Sequence, residues 1–383
     1  MTTFPRGKTA VVGAATYGIG ESPGFESIDL ATHASLRALS QAGLTPGEVD
    51  GLFICLPQDV FADLSFAEYL GIHPKVSGNN RPGGSAFLTH AYWAALALAA
   101  GEIDVALIAY GSNQRSGAGK LVSMRGAMQY ESPYRQLVPM SAYALAASRH
   151  MHQYGTTKRQ LAEVALAARR WAQLNPEAFM RGELTLDECI NARLISDPLG
   201  VRDCCLVTDG AAAIVMTRAD RARDHSAQPA YLLGAAMGTT HQNIVAMPDL
   251  TITAAAQTGP RAFAQAGVKP SDIDVVELYD AFTINTLLFL EDLGFCPKGE
   301  AGRFVEDGAI GPGGKLPVNT NGGGLSCCHP GMYGLFTMVE AVQQLGGQTG
   351  ARQVKNAKLA LAHGSGGGLS SQATVIFGTA ETL

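Results

Sequence analysis

The stretch RALSQAGLTPGEVD at residues 37–50 returns at residues 261–274 as RAFAQAGVKPSDID, with seven of fourteen positions identical. A chain that repeats itself at this distance is built from two related units, and each unit must fold the same way. Each copy reads as the end of an amphipathic helix, a Gly stop, a Pro-containing turn, an acidic residue and then an apolar run, GLFICL after the first and VVELYDAF after the second. That text predicts helix, turn, strand. A second correspondence follows in each half. GGSAFLTHAYWAALALAAGEIDVALIAYGS, from Gly83 to Ser112, and GGGLSCCHPGMYGLFTMVEAVQQLGG with the later KLALAHGSGGG both run from a glycine-rich turn through an apolar helix to a strand ending in Gly-Ser.

The repeat therefore predicts an α/β fold of two pseudo-symmetric halves, residues 1–220 and 221–383. Residues 113–200, with polar helix-like text such as KRQLAEVALAARRWAQL, read as an insertion capping the first half. At 383 residues and 46% hydrophobic, the chain can bury one large core or two. Helix N-termini present unpaired N–H groups and a positive dipole end that favour a developing anion. Two halves related by pseudo-symmetry would aim two such termini at one cleft, so the junction is where a site is expected.

Several function classes drop out. The net charge of -5, without a cluster of lysines and arginines, argues against nucleic acid. The opening MTTFPRGKTAVVGAATYGIG lacks the apolar run and cleavage site of a signal peptide, and the text has no uncharged apolar span of membrane length. The expectation is a soluble, cytoplasmic protein with no membrane partner. Seven cysteines, vicinal at Cys204-Cys205 and Cys327-Cys328 and otherwise alone, fit reduced thiols better than disulfides or zinc. His150 and His152, two apart, do not share a helix face, so no metal site is expected there. GSGGGLSS lacks the Lys-Ser/Thr ending and following helix of a phosphate loop, and reads instead as backbone lining a cleft.

The densest signal is NTNGGGLSCCHPGMYG, residues 319–334, a lone histidine beside two cysteines in a run of glycine. With YDAF at Tyr279–Phe282 and CCLVTDGAAAIVMT from Cys204, in that order along the chain, it resembles the thiolase superfamily, particularly the sterol-carrier-protein-type thiolases. The resemblance covers essentially the whole chain. It implies a thiolase fold with layered α-β-α-β-α arrangement and puts the family's catalytic histidine at His329. YDAF stands in place of Asn-Glu-Ala-Phe.

The departures from the pattern matter more. Against the family's nucleophilic cysteine this chain has NRPGGSA, with Gly83 in its place; against the second catalytic cysteine it has HGSGGGLS, with Gly364 in its place and His363 before it. Ping-pong thiolysis needs a covalent acyl-enzyme, and neither thiol is there to form it. What remains can polarise a thioester carbonyl: His329, the Tyr279 hydroxyl, and backbone N–H groups at Gly83, Gly84 and Gly364. The resemblance extends to aldolases that shorten steroid side chains with a tyrosine at the position of Tyr279. Their second tyrosine lies in the Gly-His-Pro segment, where this chain has His329 and, four residues on, Tyr333; His329 is preferred as the base.

The reading is an enzyme that makes or breaks a carbon-carbon bond beside an acyl-CoA thioester, by retro-aldol cleavage of a β-hydroxyacyl-CoA through an enolate. Two alternatives stand beside it: an acyltransferase whose nucleophile has moved to Cys327 or Cys328, and a non-catalytic acyl-CoA-binding or scaffold subunit. Cys204 and Cys205 read as strand filling near the CoA pocket, and His363 as either a substrate-orienting group or a strand end. Coenzyme A enters as part of the substrate, with no bound cofactor expected. The resemblance further implies a homodimer and a small OB-fold/zinc-ribbon protein that completes the acyl-CoA pocket. Tyr130, Tyr134, Met140 and Tyr143 in the insertion suggest an aromatic-lined cavity for a bulky acyl group.

Overall fold

Both copies of the repeat fold alike in the computed structural model, which describes residues 4–118 and 130–383; residues 119–129 of the insertion lie outside the described residues. In the first copy helix α1 (Ser27–Gln41) stops before Gly43 at φ 66°, a single 3-10 turn spans Pro46–Glu48, and strand β2 (Gly51–Cys55) follows. Strand β1 (Thr9–Gly20) precedes this unit. After it come α2 (Ala62–Leu70), β3 (Val76–Gly78), α3 (Ser85–Ala100) and β4 (Val105–Ser112). Next lie α4 (Met140–Tyr154), α5 (Lys158–Gln173), α6 (Leu186–Ile190) and the small hairpin of β5 (Leu194–Ser196) and β6 (Leu199–Gly200). Strand β7 (Asp209–Arg218) and the short α7 (Ala222–His225) lead to β8 (Ala230–Thr239).

In the second copy α8 (Ala255–Ala266) stops at Gly267 with φ 71°, the 3-10 turn spans Pro270–Asp272, and β9 is Val275–Leu278. It is followed by α9 (Thr283–Asp292), α10 (Ala301–Phe304), α11 (Gly334–Leu345), β10 (Leu359–Gly366) and β11 (Ser371–Gly378). Glycine's missing Cβ lets the chain turn left-handed at both helix ends without steric cost, so the two stops carry the same residue.

The strands form one run in the order β3-β2-β4-β7-β1-β8-β11-β10-β9. The two ends of that run are related. β2 is parallel to β3 and β4, and β4-β7-β1 continue antiparallel; β9 is parallel to β10 and to an isolated bridge at Val318, and β10-β11-β8 continue antiparallel. The halves join through a short antiparallel contact, Ala10 opposite Tyr231 and Val11 opposite Ala230.

Helices α1 and α2 pack on first-half strands and α8 on β8 and β11, while α3 and α11 each touch strands of both halves and one another. This gives helix, sheet, helix, sheet, helix. Packing between the two sheets buries Phe87, Leu88, Ala91, Ala94, Ala95 and Leu98 of α3, while Leu96, Ala99 and Ala100 toward its C-terminal end are exposed. Among the described residues no helix is long and apolar enough to cross a membrane, and no group of three or more His, Cys, Asp and Glu could hold a metal ion.

Candidate active site

The central helices α3 and α11 begin almost in contact. A Cβ on Gly334 would stand 1.9 Å from the carbonyl oxygen of Gly84, so only glycine allows the two N-termini to come this close. Tyr279, just past the end of β9, lies across the start of α3; a Cβ on Gly84 would fall 1.9 Å from its Cε2. The turn Gly323–Cys327, wound as a single π-type turn, carries the chain to His329. His329 Nε2 is 3.0 Å from the Tyr279 hydroxyl. That hydroxyl also points at the Gly331 carbonyl, 3.4 Å away.

The pair opens into a cavity of about 620 Å³, within the usual range for small-molecule sites. Its walls include Met140, Tyr143, Ile195, Val201, Val207 and Phe282, a predominantly apolar set, with Gly83, Gly84, Gly366 and Gly367 presenting backbone. Arg81 lies at its edge with its guanidinium donating to the Pro57 and Asp59 carbonyls at 2.5 and 2.9 Å.

Both members of the pair are uncharged at neutral pH. Burial lowers the His329 imidazole to about 4, and burial pushes the Tyr279 phenol well above its ordinary range, with Tyr143 and Cys205 adding to the effect. His329 Nδ1 is buried and has no partner among the described residues, so no third group fixes which ring nitrogen holds the proton. A neutral imidazole and a phenol in hydrogen-bond contact can pass a proton in either direction. Any reaction that uses the neutral imidazole keeps it far into acid: kcat/KM is expected to stay level from pH 8 to 5 and to fall only as the pH drops through about 4, not through the ordinary histidine value of 6.5. An acid limb near 6.5 contradicts this.

Asp280, beside Tyr279, holds the turn beneath His329. Its carboxyl accepts from Gly324 N at 2.6 Å and Leu325 N at 3.4 Å, and burial raises it to about 7 against those hydrogen bonds. A folded-state value above the unfolded one gives a contribution to stability that is full below about 3.8 and is lost as pH rises through about 7. Thermal melts of the wild type are therefore expected to show lower stability at pH 8 than at pH 6, and Asp280→Asn to reduce that difference. An equal difference in both proteins overturns the assignment.

The remaining residues expected at the site separate into two groups. Gly83 and Gly84 line the cavity; Gly364 does not, because a Cβ there would meet Leu88 and the Gly84 carbonyl within 2.9 Å, and Gly366 and Gly367 face the cavity instead. Cys327 and Cys328 are 1% and 0% exposed and do not line it. Tyr333 is sealed behind His329, its ring stacked on Phe336 at 5.7 Å and its hydroxyl donating to Asn321 at 2.8 Å. His363 is fully buried, with Nδ1 paired to Thr374 and Nε2 to Gln372 at 2.9 and 3.0 Å, which fits a strand histidine and leaves no nitrogen for a substrate.

Cys204 and Cys205 sit outside the strands and do line the cavity, as do Met140 and Tyr143; Tyr130 and Tyr134 are 70% and 84% exposed and border a separate groove. Burial holds the Cys204 thiol at about 12 and the Cys205 thiol well above its ordinary value. Cys328 is pushed up in the same way.

Sequence reasoning missed Tyr110 and Gln114, which line the cavity, and Thr208, whose hydroxyl accepts from His329 N at 3.0 Å. The repeat held the signal for Gln114. Setting YGSNQ at Tyr110–Gln114 against HGSGG at His363–Gly367 pairs Gln114 with Gly367, and both follow strands that end at the cleft.

Comparison with known proteins agrees with this architecture. Residues 236–379 match the family described as thiolase C-terminal domain-like. The chain is 36% identical over 358 residues, 89% of its own length and 92% of the relative's, to a 17-hydroxy-3-oxo-4-pregnene-20-carboxyl-CoA lyase of Mycobacterium tuberculosis. It is 33% identical over 382 residues, 96% and 98% of the two chains, to an acetyl-CoA acetyltransferase of Methanothermobacter thermautotrophicus. Among solved structures, an Ltp2-ChsH2(DUF35) aldolase superposes with a TM-score of 0.89 at 32% identity, covering 98% of each chain.

Proposed function

The chain belongs to the thiolase superfamily, and from that premise we propose that it is a lyase cleaving β-hydroxyacyl-CoA thioesters by a retro-aldol reaction. The observation that carries this reading is the Tyr279–His329 hydrogen bond of 3.0 Å at the wall of an apolar cavity whose thiols, Cys204 and Cys205, are held protonated. Acyl transfer needs a thiolate, which these surroundings oppose. Cys327 and Cys328 are enclosed away from the cavity, so a relocated nucleophile there has no path to the thioester.

The retro-aldol step asks only for a proton relay and an oxyanion site. The Tyr279 oxygen takes the β-hydroxyl proton while its own proton passes to His329 Nε2. The Cα–Cβ bond breaks, its electron pair forming the thioester enolate as the β-carbon becomes a ketone. The imidazolium faces the enolate at that moment, so the two charges arise as a pair inside a buried site. Return of the proton through Tyr279 to Cα releases the shortened acyl-CoA. Backbone N–H groups at Gly83 and Gly84, where α3 begins at the cavity wall, are the donors this reading assigns to the enolate oxygen.

The apolar walls and the lyase relative's ring-bearing substrate support a bulky acyl group. The aldolase neighbour, named as a two-component assembly, supports a partner subunit, and the resemblance supports a homodimer. We assign the protein to the cytoplasm on its free cysteines.

Incubation with a β-hydroxyacyl-CoA is expected to give equal amounts of ketone and shortened acyl-CoA with no cosubstrate. Intact mass after incubation with acetyl-CoA is expected to stay at that of the bare chain. A protein mass raised by one acyl group, and lost in Cys204→Ser, Cys205→Ser or Cys327→Ser/Cys328→Ser, would point to the acyltransferase that the 33% identical relative represents.

A further inference from the structure

Gln114 is the one cavity-lining side chain whose polar atoms are both buried and both without a hydrogen-bond partner among the described residues. It follows β4 and is 2% exposed. Its Oε1 lies where a Cβ on Gly331 would be, 2.4 Å off, so the carboxamide rests against the backbone that follows His329. Polar groups nearby are already engaged. The Tyr110 hydroxyl donates to the Pro330 carbonyl and accepts from Met332 N, and the Gly331 carbonyl faces Tyr279. A buried amide with neither a donor nor an acceptor satisfied is costly, and proteins seldom keep one that has no ligand to meet.

We propose that Gln114 is a specificity-determining residue of this cavity, hydrogen-bonding the hydroxyl on the substrate's acyl chain and so selecting hydroxyacyl thioesters over those that lack it. This rests on the retro-aldol reading for the identity of the substrate. A carboxamide can donate from Nε2 and accept at Oε1, and a hydroxyl can do both in return. Nε2–H donates to the hydroxyl oxygen while that hydroxyl gives its proton to Tyr279, and the same N–H stays on the ketone oxygen after cleavage. No other step changes, so Gln114 binds and orients rather than moving a proton.

The test compares binding of a β-hydroxyacyl-CoA with that of the saturated acyl-CoA of the same chain, by calorimetry, in wild type, Gln114→Leu and Gln114→Met, all three carrying His329→Asn so that the hydroxylated thioester is bound and not cleaved during the titration. Wild type is expected to favour the hydroxylated thioester by roughly 5- to 150-fold, the range for leaving a buried polar partner unmet. Both variants are expected to bind the two thioesters equally, with the saturated one held as in wild type. Thermal melts keep the variants interpretable: replacing an unsatisfied amide by an apolar group of similar size is expected to hold or raise Tm, whereas loss of a structural hydrogen bond lowers it. A preference that survives in both variants overturns the role of Gln114 and leaves the retro-aldol reading standing. Absence of any preference in wild type also overturns the role of Gln114, while the retro-aldol reading is judged separately, by whether ketone and shortened acyl-CoA form.

Discussion

His329→Asn is expected to cut the cleavage rate about 10²- to 10³-fold, and Tyr279→Phe to do the same, because each removes half of one proton path. The double variant is expected to be no slower than the slower single one. Two residues in a 3.0 Å hydrogen bond act as a unit, and deleting the second member of a broken unit removes nothing more. Single-turnover rates at saturating substrate check this directly. Additive losses in the double variant would mean that His329 and Tyr279 act on separate steps. Tyr333→Phe provides the contrast: its hydroxyl serves Asn321 behind the histidine, and its loss is expected to change stability more than rate.

Gly334→Ala carries the largest expected effect on the fold. The new methyl would stand 1.9 Å from the Gly84 carbonyl oxygen, and that atom is backbone at the start of the neighbouring helix, so no side-chain rotation relieves the overlap. Helices α3 and α11 must separate, at a cost of about 3 kcal/mol by the scale of core overpacking. A lower urea midpoint with an unchanged m-value is the expected signature. Gly84→Ala differs in kind. Its methyl meets the Tyr279 ring, which can swing away, so the expected loss is catalytic and matches that of Tyr279→Phe. A Gly334→Ala protein as stable as wild type would mean that the helix N-termini are not held together as described.

Much of this architecture was written in the repeat. Gly43 and Gly267, Pro46 and Pro270, and the two apolar runs each took the predicted place, because local chemistry decides where a helix stops and a strand starts. The order of the motifs likewise carried the thiolase fold. Distances were less legible. Cys327, Cys328 and His329 are neighbours in the text, yet the π-type turn buries the thiols while the imidazole reaches the cavity wall; a one-dimensional reading gives them equal access. Tyr130 and Tyr143 are both aromatic residues of the insertion, and only the fold shows that Tyr143, on α4, reaches the cavity while Tyr130, in a turn ahead of it, borders a separate groove. Gln114 was legible only through its pairing with Gly367 in the repeat, and that both of its polar atoms are unmet among the described residues shows only in the fold. Its meaning lies in what does not touch it.

Cleavage of a β-hydroxyacyl-CoA in D₂O, wild type beside His329→Asn, with the acyl-CoA product weighed by mass spectrometry, decides whether the Tyr279–His329 pair carries the reaction. Ketone and acyl-CoA are expected in equal amount, with one deuterium at the α-carbon and a rate about 10²- to 10³-fold lower in the variant. Equal rates in the two proteins would contradict that role for the pair.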